Sequence, residues 1–342
     1  MITLGWYVHH HGRGHVHRAR AVCRELSSRG IGVTVLSSLP DEGWAPWVEL
    51  PRDDAGGFRD VDAHGLLHYA PTDNPGHRRR LARIASWVAE AGPAAAVVDV
   101  SVEVTMWLRV QGVRTVVMAM PGVRDDTPHR IGYRAADRII APWPGTLERS
   151  AWLQPYAARV HYVGGISRYD GRGAPAEAFV DRAGSRTVLV IGGVGGSDHG
   201  AADVEAARAA TPGWSWRVID ADDWVADPWP LLHAAEVVVT GAGQGSVADL
   251  AAAGSTTLPG TPVGRSAIVI PQDRPYGEQA ATARVLRRHG LAVVRDKWPA
   301  AAQWPALLSA ATSLAPRWEA WETTGAAARE ADVIVEMVRE HA

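Results

Sequence analysis

The chain has 342 residues, 46% hydrophobic and 21% charged, with a formal net charge of -2, a composition that suits an ordinary globular protein with material for two cores. That balance argues against nucleic acid as the main partner, since such domains carry a strongly basic surface. The single cysteine, Cys23, excludes an internal disulfide and fits a reducing compartment; with no secretory leader pattern at the start and no apolar run near the ~20 residues of a membrane span, a cytoplasmic protein is expected.

The first half alternates strand and helix signals. Residues 2–8 read as a strand, 9–15 as a glycine loop, and 16–28 as a helix with Val16, Ala19, Val22, Cys23 and Leu26 at helical spacing. Gly30 stops that helix, and 31–36 form the next strand. Residues 51–75, rich in Asp, Gly and His, read as a surface loop. A helix is predicted over 77–91, with Leu81, Ile84 and Val88 on one face and Arg78, Arg79, Arg80 and Arg83 on the other. The basic face reads as solvated surface; the alternative is contact with an anionic acceptor or, peripherally, with the inner membrane face. Strands follow at 94–98, ending at Asp99, at 113–118, at 137–141 and at 159–163, with a helix at 102–110. Strands alternating with helices in short loops predict a parallel sheet covered on both faces.

The pattern restarts after a Gly-, Pro- and Arg-rich stretch at 165–184, the best linker. Strands are predicted at 186–191, 216–219, 237–240, 267–270 and 291–294. The late helices 304–314 and 319–340 are expected to return to the first domain. The chain is therefore read as α/β, with two Rossmann-like domains at 1–164 and 185–318 facing each other across a cleft, and with 319–342 packing back on the first. Such folds bind ligands at the carboxyl ends of their strands.

Three glycine-rich turns each follow a strand and precede a helix, at 9–15, 192–196 and 241–245. One such turn is as well explained by strand-end sterics; three, in register with two repeated domains, point to ligand binding. No P-loop and no strict dinucleotide fingerprint is present. The third turn, Thr240-Gly-Ala-Gly-Gln-Gly-Ser-Val-Ala-Asp249, opens a helix whose unpaired N–H groups suit a phosphate.

Gly243-Gln-Gly-Ser-Val-Ala-Asp249, followed by Pro271-Gln-Asp-Arg-Pro-Tyr-Gly-Glu-Gln279, resembles the donor-site signature of the GT-B glycosyltransferases, the group of MurG and the UDP-glycosyltransferases. The resemblance implies that Gly245, Ser246 and Val247 take the donor diphosphate, with Gly243 and Gln244 also donor-binding, that Asp249 meets the ribose diol, and that Glu278 and Gln279 read the donor sugar. Gly193 and Gly195 would belong to a second phosphate-side loop. His11-Gly-Arg-Gly-His15-Val-His-Arg18 is similar to the Gly-x-Gly-His-x-x-Arg segment of the same group. That makes His15, with Gly14 beside the donor, the implied general base, since an imidazole titrating near neutrality can take a hydroxyl proton. Asp99 is the candidate to orient it.

At the carboxyl ends of first-domain strands, Asp99, Ser101, Glu103, Arg124, Asp125 and Asp126 read either as cleft-lining groups or as helix caps; Glu103, Arg124 and Asp125 are taken as acceptor-binding candidates. His9, His10, His11, His15 and His17 cannot converge on one ion from three consecutive positions and a glycine loop, so no metal and no cofactor is expected. The expectation is an inverting, metal-independent hexosyl- or N-acetylhexosaminyl-transferase, a monomer or homodimer, moving a sugar from a nucleotide diphosphate sugar, UDP first and dTDP or GDP open, to a hydroxyl acceptor. No glutamate lies between Glu236 and Glu278 to supply the spaced pair of retaining relatives. The alternative is a sugar-nucleotide hydrolase or epimerase of the same fold. The stretch 255–265 is a Pro/Gly-rich insertion relative to the group.

Overall fold

The computed structural model describes residues 2–10, 14–54, 56, 58–175, 186–192, 199–220, 223, 225–256 and 265–340. Seven parallel strands form the first sheet: β1 (Ile2–Val8), β2 (Ile31–Ser37), β3 (Trp47–Glu49), β4 (Ala95–Asp99), β5 (Thr115–Met118), β6 (Arg138–Ala141) and β7 (Val160–Tyr162), in the order β3-β2-β1-β4-β5-β6-β7. Five more form the second: β8 (Arg186–Ile191), β9 (Trp214–Ile219), β10 (Val237–Thr240), β11 (Ser266–Val269) and β12 (Val293–Val294), in the order β12-β11-β10-β8-β9. Val97, Val98, Val188, Val190 and Val237 through Val239 are buried, as β-branched residues in strands covered on both faces must be. The two expected Rossmann-like sheets are present.

Helix α1 (Gly14–Ser28) buries the five apolar residues whose spacing predicted it. It packs in one core with Ile334, Val335 and Val338 of α10 (Ala326–Arg339). Helix α9 (Trp304–Ser313), expected to make the same return, does not: Trp304, Leu307 and Leu308 pack against Val188, Val239 and Ile268 of the second sheet. Both helices carry an apolar face, and spacing alone does not say which sheet that face meets. No described helix is long and apolar enough to cross a membrane.

Helix α2 (Pro75–Ala91) starts at Asn74, whose side chain caps the N–H of His77, and ends at the left-handed Gly92. Its Arg80 corrects the reading of the basic face. Arg80 is buried, donates to Tyr7 Oη at 2.8 Å and Pro51 O at 2.9 Å, and lies 3.8 Å from Asp53. Arg78, Arg79 and Arg83 are exposed as expected. After α3 (Val102–Val110), helix α4 (Thr127–Ala135) falls where no element was predicted. Its signal is Asp126-Thr-Pro128: Asp126 accepts from the His129 N–H at 2.9 Å and Pro128 sits in the first turn.

In the second half, α5 (Ala201–Ala209), α6 (Trp229–Ala234), α7 (Gln244–Ser255) and α8 (Glu278–Arg288) cover the sheet with α9. Strand order reverses between β1 and β4 in one sheet and between β8 and β10 in the other, and at such switch points crevices open above the strand ends.

Candidate active site

Each switch point is lined by the end of a strand pair. Val8 pairs with Asp99 at the ends of β1 and β4, and Thr240 with Ile191 at the ends of β10 and β8. The loops that leave β1 and β10 lead into α1 and α7, and the starts of these helices approach each other across the cleft: a Cβ added to Gly245 would lie 3.9 Å from Gly14 Cα. A cavity of about 1350 Å³ opens there, with Gly14, His15, Arg18, Gly245, Ser246 and Glu278 among its walls.

On the first-domain side, His15 Nδ1 lies 3.0 Å from Asp99 Oδ1. Asp99 is fully buried; burial alone would raise its carboxyl, but Arg18 and then His15 outweigh it and hold it at about 2. Arg18 donates through Nε to Asp99 Oδ2 at 3.3 Å and through Nη2 to Oδ1, and its Nη1 reaches Gln244 Oε1 at 3.0 Å across the cleft. Arg18 Nη2 also lies 3.2 Å from His15 Nδ1, but the shorter, charge-assisted contact is the one to the Asp99 carboxylate, which only accepts; it assigns the His15 proton to Nδ1 and the lone pair to Nε2. This is the base-and-orienter arrangement of acid–base catalysis. Directly after Asp99 the chain turns at Val100, which has φ +64°, a conformation that a β-branched residue adopts only under strain.

Opposite, Gly243 is the N-cap of α7 and leaves the first-turn amides of Gln244, Gly245 and Ser246 without intrahelical carbonyl partners. Val247 departs from the expectation: its N–H donates to Gly243 O at 3.0 Å and its side chain is fully buried, because helical geometry turns the fourth amide inward. Asp249 lines the cavity but is already engaged, accepting from Ser167 Oγ at 2.7 Å and Arg168 Nε at 3.0 Å; burial raises its carboxyl against these two. Gln279 Oε1 accepts from the amides of Ala242 and Gln272, each at 3.0 Å, so it braces the glycine turn against the second polar stretch. Glu278 lines the cavity with Oε2 bound to Arg124 Nη2 at 3.0 Å.

The three acceptor candidates are placed differently from expectation. Glu103 Oε1 accepts from the backbone N–H groups of His68 and Tyr69 at 2.7 and 3.0 Å, and Oε2 from Ser101 Oγ at 2.9 Å, which spends the carboxylate on anchoring a loop. Arg124 points at Glu278 rather than into the cleft. Asp125 is exposed and does not line the cavity; its neighbour Asp126 turns inward because it caps α4. Sequence reasoning missed Arg18, present in the motif but given no role, and the His68, Asp126, His129 and Tyr276 group, which a loop of unpredictable path brings together.

His68, Asp126 and His129 are the cluster with ligand-like spacing among the described residues. Arg124 Nη1 lies 3.1 Å from His129 Nε2, and a guanidinium only donates, so His129 carries its proton on Nδ1, 2.6 Å from Asp126 Oδ1. That ring nitrogen is a donor, not a ligand. His10 Nε2 lies 3.6 Å from Asp54 Oδ2. Gly193, Gly195, His11, Asp222 and most of the 255–265 insertion lie outside the described residues.

No protein-family model and no curated protein matches the chain. Solved structures do match in fold. A kitacinnamycin glycosyltransferase superposes with TM-score 0.71 at 17% identity, covering 98% of this chain and 99% of that one. Acinetobacter baumannii MurG gives 0.61 at 15%, covering 98% and 99%. The spinosyn rhamnosyltransferase SpnG, in complex with thymidine diphosphate, gives 0.60 at 16%, covering 98% and 96%. The chain has the GT-B fold of these proteins.

Proposed function

We propose that the chain is an inverting, metal-independent glycosyltransferase that moves a sugar from a nucleotide diphosphate sugar to the hydroxyl of a small-molecule, glycan or lipid-linked acceptor. The observation that carries this reading is the His15–Asp99 pair standing opposite the open N-terminus of α7 across one cavity. His15 Nε2 takes the acceptor's proton as its oxygen bonds to the anomeric carbon, and the bond from that carbon to the diphosphate breaks. The leaving diphosphate carries its charge to the amides of Gln244, Gly245 and Ser246, where the helix end is worth ~0.3–1 kcal/mol when exposed and up to ~2 when partly buried, besides direct hydrogen bonds. Base and leaving-group site on opposite walls suit a single displacement with inversion. Support for a nucleotide donor comes from fold neighbours solved with thymidine diphosphate; UDP and dTDP are the first donors to try.

The test is nucleotide release from a panel of UDP-, dTDP- and GDP-sugars, with and without hydroxyl acceptors, read together with the sugar product. Acceptor-dependent release that falls ~10²–10⁴-fold in His15→Ala, with nucleotide binding retained, is the expected result. Free sugar produced at full rate without acceptor would overturn transfer in favour of hydrolysis.

A further inference from the structure

The segment 121–129 of the first domain is docked on the residues that open α8. The N–H of Val123 donates to Tyr276 O at 3.0 Å. Gly122, at φ +98°, permits the approach: a Cβ there would sit 2.3 Å from Tyr276 O. Tyr276 is itself left-handed at φ +62° and is followed by Gly277, the N-cap of α8, and then by Glu278. Three positions of positive φ, Gly122, Tyr276 and Gly277, thus bring this edge of one domain to the donor-site acid of the other.

Arg124 fills the contact. It is 5% exposed, and every edge of its guanidinium is used: Nε donates to Pro121 O at 3.1 Å, Nη1 to His129 Nε2 at 3.1 Å, and Nη2 to Glu278 Oε2 at 3.0 Å. Its face lies over the Tyr276 ring at 4.6 Å. Behind it His129 is held by Asp126, and Asp126 Oδ2 lies 3.1 Å from His68 Nε2. Burial, then Arg124, push His129 down to about 4, so the ring stays a neutral acceptor for Arg124 at working pH. Arg124 does not line the cavity, whereas Glu278 does. Glu278 Oε1 has no protein partner among the described residues.

We propose that Arg124 is a positioning residue for donor-sugar recognition: from the opposite domain it fixes Oε2 of Glu278, aiming Oε1 at a sugar hydroxyl, so the sugar is read only while segment 121–129 is docked. This rests on the function proposed above. A glutamate with one oxygen clamped by a rigid fork has lost its rotamer freedom before the donor arrives, and its affinity for a hydroxyl gains accordingly. A brace serving only stability would affect the nucleotide and the sugar alike.

The test compares binding of a nucleoside diphosphate with binding of its sugar-bearing form by calorimetry, using the full chain. Arg124→Met, Glu278→Gln and Gly122→Ala, which pushes the segment off Tyr276 from its other end, are each expected to weaken the sugar nucleotide about 10- to 100-fold and leave the diphosphate within about twofold. Arg124→Met/Glu278→Gln should be no worse than either alone, and KM for donor should rise more than kcat falls. Equal weakening of both ligands, or additive losses in the double variant, overturns the positioning role while leaving the transferase reading in place. A wild-type chain that binds no nucleoside diphosphate overturns both. Should Arg124→Met not fold, Gly122→Ala and Glu278→Gln decide alone, sugar-selective loss supporting the proposal and unselective or absent loss overturning it.

Discussion

Arg18 Nη1 donates to Gln244 Oε1 at 3.0 Å, joining the second turn of α1 to the first turn of α7. The same guanidinium neutralises the fully buried Asp99. Replacing Arg18 with Met therefore strands a carboxylate in the interior, which costs about 3–5 kcal/mol. Chemical denaturation should show that loss; a change under about 1 kcal/mol would mean that solvent reaches Asp99.

Asp99 also sets an acid limb. Its folded pKa, about 2, is below the unfolded value of ~3.9, so it stabilises by roughly 2 kcal/mol above that unfolded value, and the contribution is lost as pH falls from ~4 through ~2. The stability gap between wild type and Asp99→Asn, followed by urea unfolding, should close over that window. A gap independent of pH contradicts the assignment.

Turnover is expected to be more sensitive than stability to the same substitution. An amide at position 99 no longer fixes the proton on His15 Nδ1, and kcat should drop about 10²–10⁴-fold. Donor binding, measured by thermal shift, should stay as in wild type.

Glu330, on the α10 face that meets α1, is fully buried and its carboxyl oxygens have no hydrogen-bond partner among the described residues. Burial pushes its carboxyl up to about 8, against the pull of Arg18 and with Asp99 adding to it. A raised acid stabilises fully below its unfolded pKa and loses that stability as pH climbs through the folded one. Glu330→Met should therefore gain about 2–4 kcal/mol near pH 8 and lose the fall of Tm that runs from the unfolded value of ~4.3 up to about 8. An unchanged fall over that window would show that another group causes it.

Val100 offers a test of strain. Its φ of +64° suits asparagine far better than a β-branched residue. Val100→Asn should stabilise by about 1 kcal/mol, read as a rise in urea midpoint at constant slope, whereas Val100→Ile should not.

Strands and glycine turns were legible because their signals are local. The runs at β1, β4 and β10 and the turn at 241–245 needed only periodicity and punctuation, and from these the switch-point cleft followed. His15 and Asp99 were identified by motif and strand end, and 84 positions apart they meet because Val8 and Asp99 are register partners. The acceptor side was not legible. Whether Asp125 or Asp126 faces inward depends on which one caps α4, and whether Glu103 is free depends on where His68 and Tyr69 place their amides. Arg80 looked like surface because its neighbours are; a buried guanidinium is recognised only with Tyr7 and Asp53 in view.

Helix α10 shares the core of α1, and this places a constraint on how the protein is made. During translation the first sheet emerges with the α10-facing side of α1 uncovered, and it stays so until the ribosome has delivered all of the second sheet and the helix after it. The halves are thus not two beads that finish in turn. The earlier one is completed last, and any factor that guards apolar surface during synthesis would have to wait for residue 338 before letting go.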